Sequence, residues 1–259
     1  MNRQPAVAGT FYPDNPRELH QILDEYLNDA ETSRKVPKAI IAPHAGYIYS
    51  GPVAATAYAR LIKAHDVINR VVLIGPSHRV GFSGLAVSKA QNFITPLGSV
   101  PVDQDAVRIL MQLPFVQCLE QAHTFEHSLE VQLPFLQETL DSFKIVPIVA
   151  GDATAEQVSQ VLKVLWGGEE TLIVISSDLS HYHDYATCQK LDKATTDLIE
   201  NLQYEKLAPD FACGMVPVSG LLKLAGEKSL TVRNIDLRNS GDTAGDKRRV
   251  VGYGAYVVD

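Results

Sequence analysis

Short apolar runs alternate with longer amphipathic segments along most of this chain. Apolar runs rich in β-branched residues predict strands, at 38–42, 70–75, 85–88, 144–150, 171–176, 230–237 and 250–258. Segments with apolar residues at helical spacing predict helices, at 16–26, 51–62, 103–113, 127–139, 153–166, 185–201 and 213–224. Asp14 or Asn15 is placed to cap the first helix, and the polar segment 31–38 predicts a loop.

The order of these elements predicts the fold class. Strands without polar alternation are covered on both faces, and strands that alternate with helices favour parallel pairing. We therefore expect an α/β layered fold in which a mostly parallel central sheet is flanked by helices. The last two strands are joined by the polar segment 239–246, which predicts an antiparallel edge pair. No segment has the composition of an interdomain linker, so we expect one domain over residues 1–259.

Composition and charge narrow the functional classes. Hydrophobic residues make up 46% of the chain and the formal net charge is −7, so we expect a large core and no nucleic-acid partner. No apolar stretch reaches the roughly 20 residues that span a bilayer, and no signal peptide is visible. Three widely spaced cysteines predict a reduced, cytoplasmic protein. Glycine-rich phosphate motifs and a G-x-S-x-G elbow are absent.

Three of the predicted strands are each followed within a few residues by a histidine: His44, His78 and His181. In open α/β sheets, ligands bind beyond the carboxyl ends of the strands. Neighbouring strands lie about 4.8 Å apart, so histidines from nearby strand ends can converge on one ion. Imidazole suits iron, copper, zinc and nickel. The pattern predicts a metal or catalytic cluster, although a hydrogen-bonded loop histidine is the simpler interpretation of any one of them alone.

Asp178 and Cys213 are further candidates at the same edge. Asp178 precedes His181 by three residues, where a carboxylate can orient an imidazole or cap a following helix. Cys213 stands at the start of a predicted helix, and a helix N-terminus lowers the pKa of a thiol and favours the metal-binding thiolate. A small buried residue is the alternative interpretation of Cys213.

The segment 123–127 matches the H-x-x-E-H pattern of inverted zinc proteases. On one continuous helix, His123 and His127 would chelate zinc and Glu126 would act as the base. The residues before His127 are predicted to form a loop, which opposes that geometry. The preferred interpretation is that His127 and Glu130, three apart on a helical turn, project into a pocket or pair with each other.

Ordered motifs along nearly the whole chain resemble the Memo family, whose bacterial and archaeal members are also called AmmeMemoRadiSam system protein B. The motifs are RQPAVAGTFYP at 3–13, PHAGY at 43–47, GPSH at 75–78, EHSLE at 126–130, SSDLSH at 176–181, CG at 213–214, and SGD at 240–242 before VVGY at 250–253.

The resemblance implies a fold similar to that of the class III (LigB-type) extradiol ring-cleaving dioxygenases, which hold non-haem Fe(II) with two His and one Glu. By motif, His44 and His78 match the ligand histidines, and His181 matches the acid/base histidine. Cys213 stands where the dioxygenases have the glutamate. Thiolate in place of carboxylate softens the site and favours copper or a redox role over ring cleavage.

The same motifs supply the remaining expected site residues and partners. Asp178 and His127 are expected to assist catalysis, and Tyr47, Glu126 and Glu130 are expected to line the pocket. The resemblance implies Fe(II) as the metal, with copper as the alternative, and a functional link to radical SAM proteins. We expect the ligand to be a small molecule or a peptide.

Three functions are consistent with the sequence. The preferred one is a metal-dependent redox protein, in which an oxidoreductase uses O₂ at the two histidines and the cysteine. The second is a non-catalytic protein that uses an inherited dioxygenase pocket to bind a small molecule, a peptide or a metal. The third is hydrolysis by the pair His123 and His127. The substrate, the metal and the oligomeric state stay open.

Overall fold

A large mixed sheet, a small sheet and surrounding helices make up the structure, a computed structural model that describes residues 1–32, 35–208 and 210–259. The predicted loop at 31–38 therefore lies partly outside the described residues. The strands are β1 (Asn2–Arg3), β2 (Ala39–Ala42), β3 (Arg70–Pro76), β4 (Leu85–Val87), β5 (Asn92–Thr95), β6 (Gly98–Pro101), β7 (Val116–Cys118), β8 (Lys144–Ala150), β9 (Thr171–Ser176), β10 (His181–His183), β11 (Val232–Asn239) and β12 (Val250–Val258).

The helices are α1 (Pro16–Asp29), α2 (Tyr47–Tyr58), α3 (Gln104–Leu110), α4 (Glu120–Thr124), α5 (Leu133–Thr139), α6 (Ala155–Val164), α7 (Tyr185–Glu200), α8 (Met215–Glu227) and α9 (Ser240–Thr243). Short 3-10 helices are present at Ala59–Ala64, Glu130–Gln132 and Tyr204–Lys206. Within the described ranges, no helix is long and apolar enough to cross a membrane.

The large sheet has a parallel centre. Strands β2, β9, β3 and β8 lie side by side in that order, and each neighbouring pair is parallel. Antiparallel pairing extends the sheet on both sides, through β12 on β2 and through β4 on β8. This is the predicted α/β class, and the order β2-β9-β3 brings the carboxyl ends of the three histidine-bearing strands to one edge.

Burial explains why these strands form the centre. Every residue of β2 and β9 is buried, and so is every residue of β3 except the first, which is half-buried. Fully burying a Val, Leu or Ile side chain is worth about 1.5–3 kcal/mol each. Helix α2 contacts β2, β11 and β12, whereas α8 contacts β3 and β9 and packs on α6. The strand ends are therefore held by a core that leaves them little freedom to shift.

The first helix begins as the sequence predicts. The Asn15 side chain accepts hydrogen bonds from the amides of Arg17 and Glu18, at 2.9 and 3.3 Å, and Pro16 is the first helical residue. Three leucines, at positions 19, 23 and 27, form the buried stripe of α1. The cap and the stripe together fix where this helix begins and which face it buries.

Two predicted helix boundaries are wrong, for reasons that involve the site. Helix α2 begins at Tyr47 rather than at residue 51, because the Tyr47 amide donates to the Phe11 carbonyl at 2.7 Å. The helix predicted at 127–139 begins only at Leu133. The amides of His127 and Ser128 turn instead to the Glu126 carboxylate, at 3.0 and 2.9 Å.

The final strands are partly as predicted. β11 and β12 are an antiparallel pair, but β12 does not lie at the edge, because it also pairs with β2 and β10. Almost all of β12 is buried, which suits a strand with neighbours on both sides. The pattern missed the short elements β1, β5, β6, β7, β10, α4 and α9, which are too short to show a period.

Glycine at position 84 is required by backbone geometry, and its replacement gives a test of the fold. Gly84 has φ +82°, and an added Cβ would lie 2.2 Å from the Phe115 carbonyl oxygen. We expect Gly84→Ala to lower the free energy of unfolding by about 2 kcal/mol or more, measured in urea. Gly81→Ala is the control, since its Cβ meets nothing within 4 Å. Equal stability of the two variants would contradict this geometry.

Candidate metal centre

Three of the predicted residues converge at the carboxyl edge of the sheet. His44 follows β2, His78 follows β3, and Cys213 precedes α8. One ligand atom from each lies within 4.8 Å of the other two. The His44 Nε2 and Cys213 Sγ atoms are 3.2 Å apart, and the two imidazole centroids are 5.2 Å apart. Such a set of donor atoms could hold one metal ion.

Ser176, the last residue of β9, determines which nitrogen of His44 carries the proton. The Ser176 hydroxyl donates to the Ser128 carbonyl at 2.6 Å and accepts from the Gln132 side-chain amide at 2.8 Å. Its single proton is therefore used, and His44 Nδ1, 2.8 Å away, must be the donor. The lone pair of His44 lies on Nε2, which faces Cys213.

Gln132 is held in turn by a buried network. Its amide nitrogen donates to the Pro43 carbonyl at 2.9 Å as well as to Ser176. Its amide oxygen accepts from the Tyr58 hydroxyl at 2.7 Å. Gln132 is completely buried, and both of its amide protons have acceptors. The network therefore leaves the Ser176 hydroxyl with one orientation, and the His44 tautomer follows from it.

His78 is also held with its proton on Nδ1, but by a different partner. The Glu126 carboxylate accepts from His78 Nδ1 at 2.8 Å and from the His78 amide at 2.6 Å. Although burial opposes ionisation, the hydrogen bonds from His78 lower the pKa of Glu126 to about 2. A charged carboxylate on Nδ1–H fixes the tautomer and leaves the Nε2 lone pair free. Glu126 is buried and does not line the cleft beside the cluster, and its contact with the site is through His78.

His127 packs against the cluster. Its ring stacks on His78 with centroids 4.6 Å apart, and the Phe11 ring lies 4.8 Å away on another side. His78, Glu126 and His127 also bring one ligand atom each within 4.8 Å. In that group, however, the His78 and Glu126 atoms are hydrogen-bonded to each other. The group is therefore better suited to supporting the first cluster than to holding an ion of its own.

Burial sets the protonation of the two closest donors. Burial, with the nearby His78 and His127, lowers the pKa of His44 well below its usual value, so the imidazole is neutral. Burial and the neighbouring Asp178 raise the pKa of the Cys213 thiol. The expected lowering of the Cys213 pKa by a helix N-terminus is therefore wrong. Helix α8 begins two residues later, and desolvation dominates. Binding of a metal ion would displace the thiol proton.

Asp178 neither caps a helix nor hydrogen-bonds to the His181 ring, and its expected part in catalysis stays a prediction. Its carboxylate accepts from the His44 amide at 2.7 Å, and its own amide donates to Cys213 Sγ at 3.3 Å. Residues 177–180 form no helix, so there is none for it to cap. The contacts of Asp178 instead join the His44 backbone to the Cys213 sulfur. Burial raises the pKa of this carboxyl group.

A cleft of about 760 Å³ opens beside the cluster. It is lined by His78, Cys213, His181, His183, Leu191, Asp210 and Phe211. His181 lies on β10, where a bulge interrupts the pairing with β12, and the next residue, Tyr182, has φ +63°. A non-glycine residue in this region is strained, and such strain is concentrated at functional sites. His181 thus lies in the cleft beside a strained residue, and its expected acid/base role stays a prediction.

Tyr47 and Glu130 do not have the predicted pocket role. The Tyr47 hydroxyl is buried and donates to the Val131 carbonyl at 2.7 Å. Glu130 is completely buried and binds the N-terminal arm, with its oxygens 2.7 Å from the Ala6 amide and 2.5 Å from the Tyr12 hydroxyl. The expected projection of Glu130 into a pocket, or its pairing with His127, is therefore wrong, because the arm occupies both oxygens.

The protease arrangement is absent from this site. Helix α4 ends at Thr124, so His123 and His127 do not share a helical face. His123 is buried, with Nε2 3.1 Å from the Ala86 carbonyl oxygen, and burial lowers its pKa to about 4. Glu126 is bound to His78. The geometry that H-x-x-E-H requires is therefore not formed.

Sequence reasoning missed the residues that orient the ligands. Ser176 and Gln132 fix His44, yet one reads as the end of a strand and the other as part of a helix. His183, Leu191 and Phe211 line the cleft, and no motif marks them. The donor set itself, two imidazoles and a thiol, fits a borderline or soft ion such as copper, iron or zinc.

The hydrogen bonding of Ser176 predicts a change in the His44 tautomer. In the metal-free protein, long-range ¹H–¹⁵N NMR should show His44 protonated at Nδ1. Ser176→Ala removes the acceptor, so the Nε2–H form should increase. Ser159→Ala is the matched control, since the buried Ser159 hydroxyl has no partner. An unchanged tautomer in Ser176→Ala would contradict the assignment.

Comparison with known proteins shows the family to which this chain belongs. The sequence model of the family described as Memo-like protein matches residues 3–257. A MEMO1 family protein of Aquifex aeolicus is 38% identical, with 97% of each chain covered. One from Methanosarcina mazei is 37% identical, with 99% of each chain covered. A solved structure of an uncharacterized protein from Escherichia coli K12 covers 86% of this chain and 100% of that chain, at 14% identity and a TM-score of 0.47. The chain therefore belongs to the Memo family.

Proposed function

We propose that this protein binds one iron or copper ion through His44, His78 and Cys213 and uses it for a redox reaction on a small molecule in the adjoining cleft. The observation that carries the proposal is the convergence of the three donor atoms within 4.8 Å. Both imidazoles have their Nδ1 atoms occupied by protein acceptors, which leaves Nε2 of each for an ion.

The number of donors supports a reactive centre rather than a closed structural one. Structural zinc sites use four protein ligands, whereas catalytic sites leave at least one position open. Here the site has three donors, and two of them, His78 and Cys213, also line a cleft large enough for a small molecule. His78 and Cys213 line both the cluster and the cleft, so a bound molecule would lie against the ion's open side.

The remaining cleft residues have separable roles in the proposed reaction. When bound, iron or copper would supply the one-electron chemistry that protein side chains lack. His181 would give or take a proton at the substrate, and Leu191 and Phe211, which also line the cleft, would form its apolar wall. Asp178 holds the His44 backbone and the Cys213 sulfur together, so its contribution is positional. His127 keeps the His78 ring in place by stacking.

Elemental analysis of anaerobically purified protein tests the ligand set. We expect close to one iron or copper per chain in the wild type, and loss of most of it in His44→Ala, His78→Ala and Cys213→Ser. Removing any of the three should weaken binding, because the remaining two donors do not enclose an ion.

Two control variants replace the same residue types, a histidine and a cysteine, at positions away from the cluster. His65→Ala changes an exposed histidine paired with Asp141, and Cys118→Ser changes a cysteine beside Glu120. Both should keep the metal. Protein that is metal-free as purified and also takes up no added Fe(II), Cu(I) or Zn(II) would refute the proposal.

Replacing His181 should separate binding from reactivity. We expect His181→Asn to keep its metal, because His181 is not among the three donors. Oxygen consumption with ascorbate as electron donor should fall by roughly 10²-fold, the usual contribution of an acid/base group. Wild-type protein that binds metal but consumes no oxygen, with ascorbate or with any of a panel of small reductants, would favour a non-catalytic binding protein instead.

A further inference from the structure

The N-terminal arm, residues 2–12, contacts both sides of the candidate metal centre. On one side, the Phe11 carbonyl accepts from the Tyr47 amide, three residues after His44. On the other side, the Phe11 ring packs on His127. The arm is far from these residues in sequence, so only the fold brings them together.

One side chain of the arm, Arg3, binds the segment 123–130 at three points. Its Nε donates to the His123 carbonyl at 3.1 Å, and one terminal nitrogen donates to the Glu126 carbonyl at 2.6 Å. The other terminal nitrogen pairs with the Glu130 carboxylate. The side chains of Arg3 and Glu130 are 5% and 0% exposed, so the fork is almost completely removed from water.

Glu130 fixes the arm in return. Besides Arg3, its oxygens accept from the amides of Ala6 and Val7, at 2.7 and 3.0 Å, and from the Tyr12 hydroxyl at 2.5 Å. Burying an ion pair is seldom a net source of stability, because desolvation offsets the attraction. The fork geometry is what a guanidinium adds over other cations, since it fixes several acceptors at once.

The segment 123–130, which Arg3 holds, includes Glu126, the hydrogen-bond partner of the proposed metal ligand His78. The Glu126 backbone carbonyl binds Arg3, and the Glu126 carboxylate binds both Nδ1 and the amide of His78. A shift of this segment would therefore move the acceptor away from the His78 imidazole. The path from the arm to the cluster is Arg3, Glu126 and His78, each joined to the next by hydrogen bonds.

We propose that Arg3 is a positioning residue for the metal centre, and that it acts by holding Glu126 where its carboxylate fixes the His78 ring. The expected effect of Arg3 on metal affinity rests on the proposed function, in which His78 is a metal ligand. The expected effect of Arg3 on the hydrogen bond between His78 and Glu126 does not depend on any metal. The arm is thus a part of the site, although it contributes no donor atom.

The variant Arg3→Lys tests the fork while keeping the positive charge opposite Glu130. Arg70→Lys is the matched control, because Arg70 pairs with Asp103 at the other end of β3 from His78. The first readout is the Nδ1–H signal of His78 in the metal-free protein, followed by NMR. We expect Arg3→Lys to weaken or lose this signal and Arg70→Lys to keep it.

The second readout is affinity for Co(II), measured through the thiolate-to-metal absorption band. We expect the Kd to rise roughly 10- to 100-fold in Arg3→Lys, as for other residues that orient a metal-binding histidine. In a Glu126→Gln background, Arg3→Lys should add little, because the path already lacks its middle member. Equal, additive losses in both backgrounds would overturn the path through Glu126.

A purely structural role would give a different pattern. Arg3→Lys would then lower the free energy of unfolding while leaving the His78 signal and the Co(II) affinity unchanged, which would overturn the proposal.

If Arg3→Lys does not fold, a measurement on the wild-type protein tests the proposal instead. Zn(II) binding should slow hydrogen exchange of the Ala6 and Val7 amides, since the arm and the metal site affect each other equally if they are coupled. Unchanged hydrogen exchange of these two amides in Zn(II)-saturated protein would overturn the proposal. Wild-type protein that binds no metal would refute the proposed function, and the His78 signal would then decide on Arg3.

Discussion

Three parallel strands that end at one edge of the sheet determine the rest of this site. β2, β9 and β3 are adjacent, and each is almost completely buried, so their ends cannot move independently. His44 and His78 follow the two outer strands, and Ser176 ends the strand between them. The core therefore fixes the distance between the two imidazoles before any ligand is present. Cys213 completes the set from a position two residues before α8, a helix that packs on β3 and β9.

Hydrogen bonds at the back of the imidazoles then make this geometry chemically specific. Ser176 fixes one ring and Glu126 fixes the other, each through Nδ1. Both Nε2 lone pairs are left for the same small volume, where the thiol also lies. Such orientation by protein partners is what usually separates a metal-binding histidine from an ordinary buried one. Burial keeps His44 neutral and Cys213 protonated, so an ion would exchange places with a proton.

Much of the fold could be predicted from the sequence, because long apolar strands such as β3, β8 and β9 have a clear pattern. His44, His78 and Cys213 could be grouped by their positions at strand and helix ends together with the family motifs. Tertiary contacts account for the errors. Glu130 stands in a motif beside site residues, but its partners are in the arm, more than 100 residues earlier. The turn after Glu126 depends likewise on a side-chain acceptor, the Glu126 carboxylate, which no periodicity reveals.

X-ray absorption of the Zn(II)-loaded protein tests the central claim most directly, because it reports the atoms bound to the ion. His44, His78 and Cys213 as ligands predict one sulfur at about 2.3 Å and two or three nitrogen or oxygen atoms at about 2.0–2.1 Å. The sulfur contribution should vanish in Cys213→Ser and persist in Cys118→Ser. A shell of nitrogen and oxygen alone in the wild type would contradict the account.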